Sequence, residues 1–288
     1  MFIKSIKDII EISKKENIDF FEVMLNSDIE ERRISKEESF NQMKNIYNEM
    51  KKSVNNYDNK LRSNSGLSGG DGEKIKIAIN EGRIISGDFL GNVIEKAIKV
   101  AESNACMRKI VAAPTAGSCG VVPSVLITYQ EKNNISDEEM VKALYVSAGI
   151  GQVIAEKASI SGAEGGCQAE IGSASAMVAG ALTYLRGGDC ECIVNASALA
   201  LKGLLGLVCD PVAGLVEVPC VKRNVIGAVN AVTSSDMAMA GIRSRIPLDE
   251  VIEAMKCVGD ALPISLRETG KGGLAQTPTG IKIAGNIL

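Results

Sequence analysis

Apolar positions recur with helical spacing along much of this chain. In MFIKSIKDIIEISKKEN (residues 1–17), Ile3, Ile6 and Ile10 form one stripe among charges. In SKEESFNQMKNIYNEM (35–50), Ser35 and Glu38 have the spacing of a capping box, and Phe40, Met43, Tyr47 and Met50 follow on one face. Ser136 and Glu139 repeat that start signal ahead of Val141, Leu144 and Ala148. The stretches 173–186 and 193–208 are apolar nearly all round, as in helices buried on every side. Period-two alternation never persists and β-branched clusters are short. The pattern predicts a mainly α fold with little or no β-sheet.

The character of the chain changes near residue 63. Residues 1–62 contain no glycine, proline or cysteine and are rich in charge, which predicts an amphipathic helical segment serving as a docking layer. Residues 63–288 hold all 29 glycines and all eight cysteines, and read as a compact helical catalytic domain packed as one unit with the first segment. Four glycine-rich loops punctuate it: SGLSGGDGEK (65–74), APTAGSCG (113–120), SGAEGGCQAEIGSASA (161–176) and ETGKGGLAQTPTG (268–280).

Composition narrows the function. A net charge of −3 and 3% aromatic residues argue against a nucleic-acid surface. Histidine is absent, which removes the commonest general base and every imidazole metal site. Any metal must then sit on thiolates, carboxylates or backbone oxygens, with zinc or iron–sulfur favoured by thiolates. The N-terminal stripe does not read as a signal peptide, so a cytoplasmic protein is expected, with its cysteines free or ligating. Residues 193–221 are apolar enough to raise a membrane question, but Lys202, Asp210, Pro211, Glu217 and Pro219 interrupt them, and buried core is expected instead.

Each glycine loop could simply turn the chain between helices, or could offer backbone N–H groups to a small carboxylate or phosphate. A P-loop is excluded because Gly270-Lys271 is followed by Gly272. Cys167 precedes Cys209 by 42 residues, and Cys220 follows eleven later. Pro211 and Pro219 forbid one continuous helix between the last two, which places both on irregular backbone. Their spacing matches neither a ferredoxin run nor a zinc ribbon, so spacing alone leaves open whether they are ligands or buried thiols. Cys190 and Cys192 in DCEC lack a second pair, Cys106 and Cys257 fall in helical patterns, and Cys119 lies beside a glycine loop. Lys222 and Arg223 are either a solvated pair or an anion-binding pair.

Taken together, GLSGGDGEK, KIVAAPTAGSCGVVPSVL, EGGCQAEIGSASAM, CDPVAGLVEVPCVKRN and LRETGKGGLAQTPTG resemble the iron–sulfur-dependent L-serine dehydratases, specifically the alpha subunit of the two-subunit bacterial form. The resemblance runs from the SIKDIIEI helix to TPTG, essentially the whole chain. It implies deamination of L-serine to pyruvate and ammonia without pyridoxal phosphate (PLP). It also implies a [4Fe–4S] cluster on Cys167, Cys209 and Cys220, with one iron left open as a Lewis acid toward the substrate hydroxyl. A separate beta subunit is implied as partner, in a heterodimer. Ser68, Gly69, Thr115, Ser118, Lys222, Arg223 and Asn224 are the expected substrate-side groups. The base is open, with Lys271, Glu164 or a serine alkoxide as candidates. Single-chain relatives can end in a cysteine reaching the cluster; this sequence ends GNIL, so water or a partner is expected at the open iron. Three alternatives stand beside this reading: a cysteine desulfidase-like lyase, a structural zinc protein with four thiolates, and a metal-free helical interaction protein.

Overall fold

The computed structural model describes residues 3–287, so Leu288 of the terminal GNIL lies outside the described residues. Among these residues thirteen α-helical segments occur and no strand; the one β-type pairing is an isolated parallel bridge between Cys209 and Arg267. In chain order the helices are α1 (Ile6–Glu16), α2 (Phe20–Arg32), α3 (Lys36–Asn55), α4 (Asp71–Asn80), α5 (Gly87–Ala105), α6 (Val121–Asn133) and α7 (Asp137–Lys157). There follow α8 (Gly162–Gly165), α9 (Ser173–Leu185), α10 (Cys190–Lys202), α11 (Cys220–Met239), α12 (Leu248–Ala261) and α13 (Pro278–Ile287). The mainly helical class expected from periodicity is the class observed.

The helix starts follow the local chemistry. Ser35 and Ser136 cap α3 and α7, each hydroxyl accepting the backbone N–H of the glutamate three residues on. The return arm of each box is not made. Glu38 accepts from Gln42, and Glu139 pairs with Lys142. The complete box is at α2, where Asp19 and Glu22 cap each other reciprocally.

Helix α9 is the axis of the core, buried from Ser173 through Thr183, with α6, α7, α10 and α11 packed around it. Small residues set these distances. A Cβ on Gly180 would overlap Ile150 Cδ1 of α7 and stand 2.7 Å from Ser197 Oγ of α10, so only glycine lets the three helices close. The N-terminal helices share this core: Phe20, Met24 and Tyr47 are buried with residues of α7 and α9. On α7, Val141 and Leu144 face inward as expected, but Ala148 is exposed, because the inward face there is carried by Ser147 and Gly149. The apolar run 193–208 does not continue as helix. Helix α10 ends at Lys202, and a turn through Gly206, at φ 83°, leads the chain toward Cys209. No helix among the described residues is long and apolar enough to cross a membrane.

Candidate metal centre and active site

Cys167, Cys209 and Cys220 come from three separate turns of backbone. Cys167 stands between the single turn α8 and a π-helical turn, Gln168–Gly172, that feeds α9. Cys209 sits on irregular chain clamped to the 266–268 segment: its N–H donates to Leu266 O at 2.9 Å, and Glu268 N–H donates to Cys209 O at 2.8 Å. Cys220 is the first residue of α11 rather than part of a loop, because Pro219 ends the irregular stretch and stands at the helix N-cap. The irregular backbone expected for both cysteines thus holds for Cys209 alone.

Side chains beside the cysteines tie these segments together. Gln168 uses both ends of its amide: its Nε2 donates to Met255 O of α12, and its Oε1 accepts Gly206 N–H, just ahead of Cys209. Arg223, in the first turn of α11, donates to Val208 O at 2.7 Å and meets Asp210 Oδ1 at 2.8 Å. It fastens the Cys209 segment to the Cys220 helix. Asn224 is buried and makes three side-chain hydrogen bonds. Its Oδ1 accepts Gly120 N–H at 2.8 Å, and its Nδ2 donates to Gly117 O and Cys220 O. It therefore holds the 113–120 loop to α11, with both N–H donors committed and one Oδ1 lone pair left over.

All three thiols are buried, none is in a disulfide, and each is pushed well above the ordinary thiol pKa. Burial is the main cause, taking Cys167 and Cys220 up to about 12. Cys209 is raised by burial, then by Cys167, Glu170, Glu268 and Cys220, so the three thiols feel one another. Such thiols stay protonated unless a metal replaces their protons. A single zinc would need four donors converging on one point. Among the described residues no group of three His, Cys, Asp or Glu side chains is set to hold a single metal ion. The remaining cysteines are elsewhere: Cys119 donates to Val100 O, Cys190 meets Ser13, Cys192 meets Met239, Cys106 caps α5, and Cys257 is exposed on α12. Three soft donors of this kind, spread over neighbouring turns, suit a polynuclear iron–sulfur cluster, which takes one cysteine per iron.

Beside the thiols lies a carboxylate that the sequence reading missed. Glu170 Oε1 accepts from Thr115 Oγ1 at 2.6 Å, and Thr115 Oγ1 is 3.1 Å from Ser118 Oγ. A Cβ on Gly162 would stand 2.9 Å from Glu170 Oε2, 3.0 Å from Cys209 Sγ and 3.3 Å from Glu268 Oε2. Gly162 thus marks the point where two carboxylates and a thiol converge. Burial raises the pKa of Glu170, and Glu268 raises it further against the hydrogen bond from Thr115. The available signal was the spacing in CQAE, which sets Glu170 three residues after Cys167.

The other expected site residues are scattered. Ser118 and Thr115 flank Glu170. Lys222 points away, to Asp71 at 2.7 Å. Ser68 is buried with no partner for its hydroxyl, and Gly69 N–H is directed at Glu102. Of the candidate bases, Glu164 is exposed and accepts from Ser159, lining an open pocket with Lys256 and Asp260. Lys271 is exposed on the 268–277 loop.

Comparison with known proteins places the chain in a family. The family model described as serine dehydratase alpha chain matches residues 15–275. A probable L-serine dehydratase alpha chain of Bacillus subtilis is 48% identical over 285 residues, 99% of this chain and 95% of that one. The L-serine dehydratase alpha chain of Peptoniphilus asaccharolyticus is 41% identical over 283 residues, 98% and 97% of the two chains. An L-serine dehydratase of Streptomyces coelicolor is 46% identical over 181 residues, covering 62% of this chain and 40% of that longer one. A match over most of the chain, with near-full-length relatives above 40% identity, settles the family: this chain belongs to the serine dehydratase alpha chains.

Proposed function

We propose that this chain is the alpha subunit of an L-serine dehydratase, converting L-serine to pyruvate and ammonia together with a separate beta subunit. The observation that carries this reading is that Cys209, buried and unbridged, lies near enough to Cys167, Cys220 and the Glu170 carboxylate for each of them to raise its thiol pKa. Cys167, Cys209 and Cys220 would hold a [4Fe–4S] cluster. When bound, the cluster supplies a Lewis-acidic iron that makes the substrate hydroxyl a better leaving group.

The chain's own residues do the rest. Glu170 Oε2 takes the α-proton of L-serine, while Oε1 stays fixed by the Thr115 hydroxyl. Burial and the neighbouring Glu268 make this carboxylate more basic than a solvated one, which is the tuning a carboxylate base needs. Ser118 is buried beneath Thr115 and steadies it, and Asn224 keeps their loop seated on α11. Arg223 holds a positive charge beside Cys167 and lowers its pKa, favouring the ligating thiolate. Loss of the α-proton and of the β-hydroxyl as water leaves aminoacrylate; its imine tautomer takes up water to give pyruvate and ammonia.

The test is anaerobic purification of the chain with its partner, followed by assay of pyruvate from L-serine and from L-cysteine. Preferential turnover of L-serine supports the reading. Exclusive turnover of L-cysteine would replace it with a desulfidase, and no turnover of either would refute it.

A further inference from the structure

The glycine loop at 65–74 is shaped like an anion cradle, yet its N–H groups are already occupied. Glu102, on α5 and 1% exposed, accepts from Gly69 N–H at 3.1 Å and Asp71 N–H at 3.0 Å through Oε1. Its Oε2 accepts from Gly72 N–H at 3.2 Å and from Tyr57 OH at 2.5 Å, and that hydroxyl in turn accepts Gly70 N–H. The first turn of α4 is thus wrapped around a carboxylate of the protein itself. Close packing enforces the wrap: at Gly72 a Cβ would come within 2.7 Å of Lys99 Cγ and 3.2 Å of Tyr57 Cζ.

The same loop is fastened on both sides of Cys220. Ser63 and Ser65 donate to the buried Glu217, three residues before it, at 2.7 and 2.8 Å. Asp71 pairs with Lys222, two residues after it, at 2.7 Å. Midway along the loop sits Ser68, 3% exposed, with a hydroxyl that finds no partner in the protein. A buried hydroxyl left unpaired is costly; Ser68 shares that state with Thr128, Ser173 and Ser234, but of these it alone lies on the loop fastened around Cys220, where a substrate could supply the missing bond.

We infer that Glu102 is a positioning residue for substrate binding: as an internal anion it folds the 63–72 loop against Cys220 and presents the Ser68 hydroxyl to the amino-acid substrate. The inference rests on the serine dehydratase reading above. It explains why the cradle does not hold the substrate carboxylate through its N–H groups, and it makes Ser68 the contacting group of this loop.

The test is a double-mutant cycle on the anaerobic holoenzyme with Glu102→Gln and Ser68→Ala. Each single variant is expected to raise KM for L-serine by about fivefold, the effect of one net hydrogen bond, with a smaller change in kcat and the iron content retained. The double variant is expected to show no further rise, because both act through one contact. Tyr57→Phe, which removes one donor from the same carboxylate, serves if Glu102→Gln does not fold; it should raise KM less and again add nothing to Ser68→Ala. An unchanged KM, multiplicative effects in the double variant, or parallel loss of iron and kcat would overturn the inference. Active wild type with kinetically silent variants refutes this inference alone. Wild-type holoenzyme that makes no pyruvate from L-serine refutes the functional reading and takes the inference with it.

Discussion

Thr115 Oγ1 lies 2.6 Å from Glu170 Oε1, joining a residue of one glycine loop to a carboxylate 55 positions later in the chain. The bond leaves the second carboxylate oxygen directed toward Gly162, where Cys209 and Glu268 also converge. If Glu170 takes the α-proton, Glu170→Gln lowers kcat by about 10²-fold or more while iron content stays at the wild-type level. Thr115→Val, which only frees the carboxylate to swing, has a smaller effect in the same direction. Steady-state kinetics alongside iron analysis check both; full activity in Glu170→Gln would remove the residue from the mechanism.

Gly162 tests the crowding itself. A methyl group there would press on Glu170 Oε2 at 2.9 Å and Cys209 Sγ at 3.0 Å. The expected outcome for Gly162→Ala is a folded protein, by circular dichroism, with reduced iron content and activity. Normal iron and activity would show that the thiol and the carboxylate have room to spare.

Asn224 is expected to act through the fold. Its side chain makes three hydrogen bonds, and those to Gly120 N–H, which is buried, and to Gly117 O, which is part-buried, hold the 113–120 loop to α11. Asn224→Ala leaves the buried Gly120 N–H without a partner, at a cost of about 1–3 kcal/mol, and frees the part-buried Gly117 O to water. Chemical denaturation of the variant should show this as an earlier midpoint. A midpoint equal to wild type would contradict this structural role.

The contrast between Asn224 and Cys220 shows which parts of the site are legible in a sequence. Helix periodicity, the glycine loops and the resemblance carried by the cysteine motifs all follow from local residue order. The partners of Asn224 and Glu102 do not, because they lie 104 and about 30 residues away, on other elements. A glycine loop looks the same whether its N–H groups face a ligand or, as at residues 69–72, a carboxylate of the protein itself. Pro219 was equally ambiguous: a proline breaks a helix behind it but starts one ahead of it, and here it starts α11 at Cys220. Glu170 was hidden by its own chemistry, since a carboxylate becomes a credible base only when tertiary burial raises its pKa.

Acid stability gives an independent check on the packing of α3 against the start of α7. Lys51, then Gln130, hold the Asp137 carboxyl below its ordinary pKa of 3.8, with Lys51 Nζ 2.7 Å from Asp137 Oδ2. A depressed folded-state pKa stabilises above the unfolded value and is lost as pH falls through the folded one. Lys51→Met should therefore cost up to about 1 kcal/mol at neutral pH, the range of a half-exposed pair, and nothing once Asp137 is protonated in both states. Unfolding curves of wild type and variant that stay equally spaced below pH 3.8 would contradict this origin.

The central claim is that Cys167, Cys209 and Cys220 together hold an iron–sulfur cluster. Its most direct test is iron and sulfide content per chain, with the visible spectrum, in anaerobically purified single Cys→Ser variants at these positions, with Cys257→Ser as the exposed control. The account predicts about four irons and four sulfides in wild type and the control, and loss of both in each of the three variants. Full iron and sulfide in any of the three, or a metal-free wild type, would contradict it.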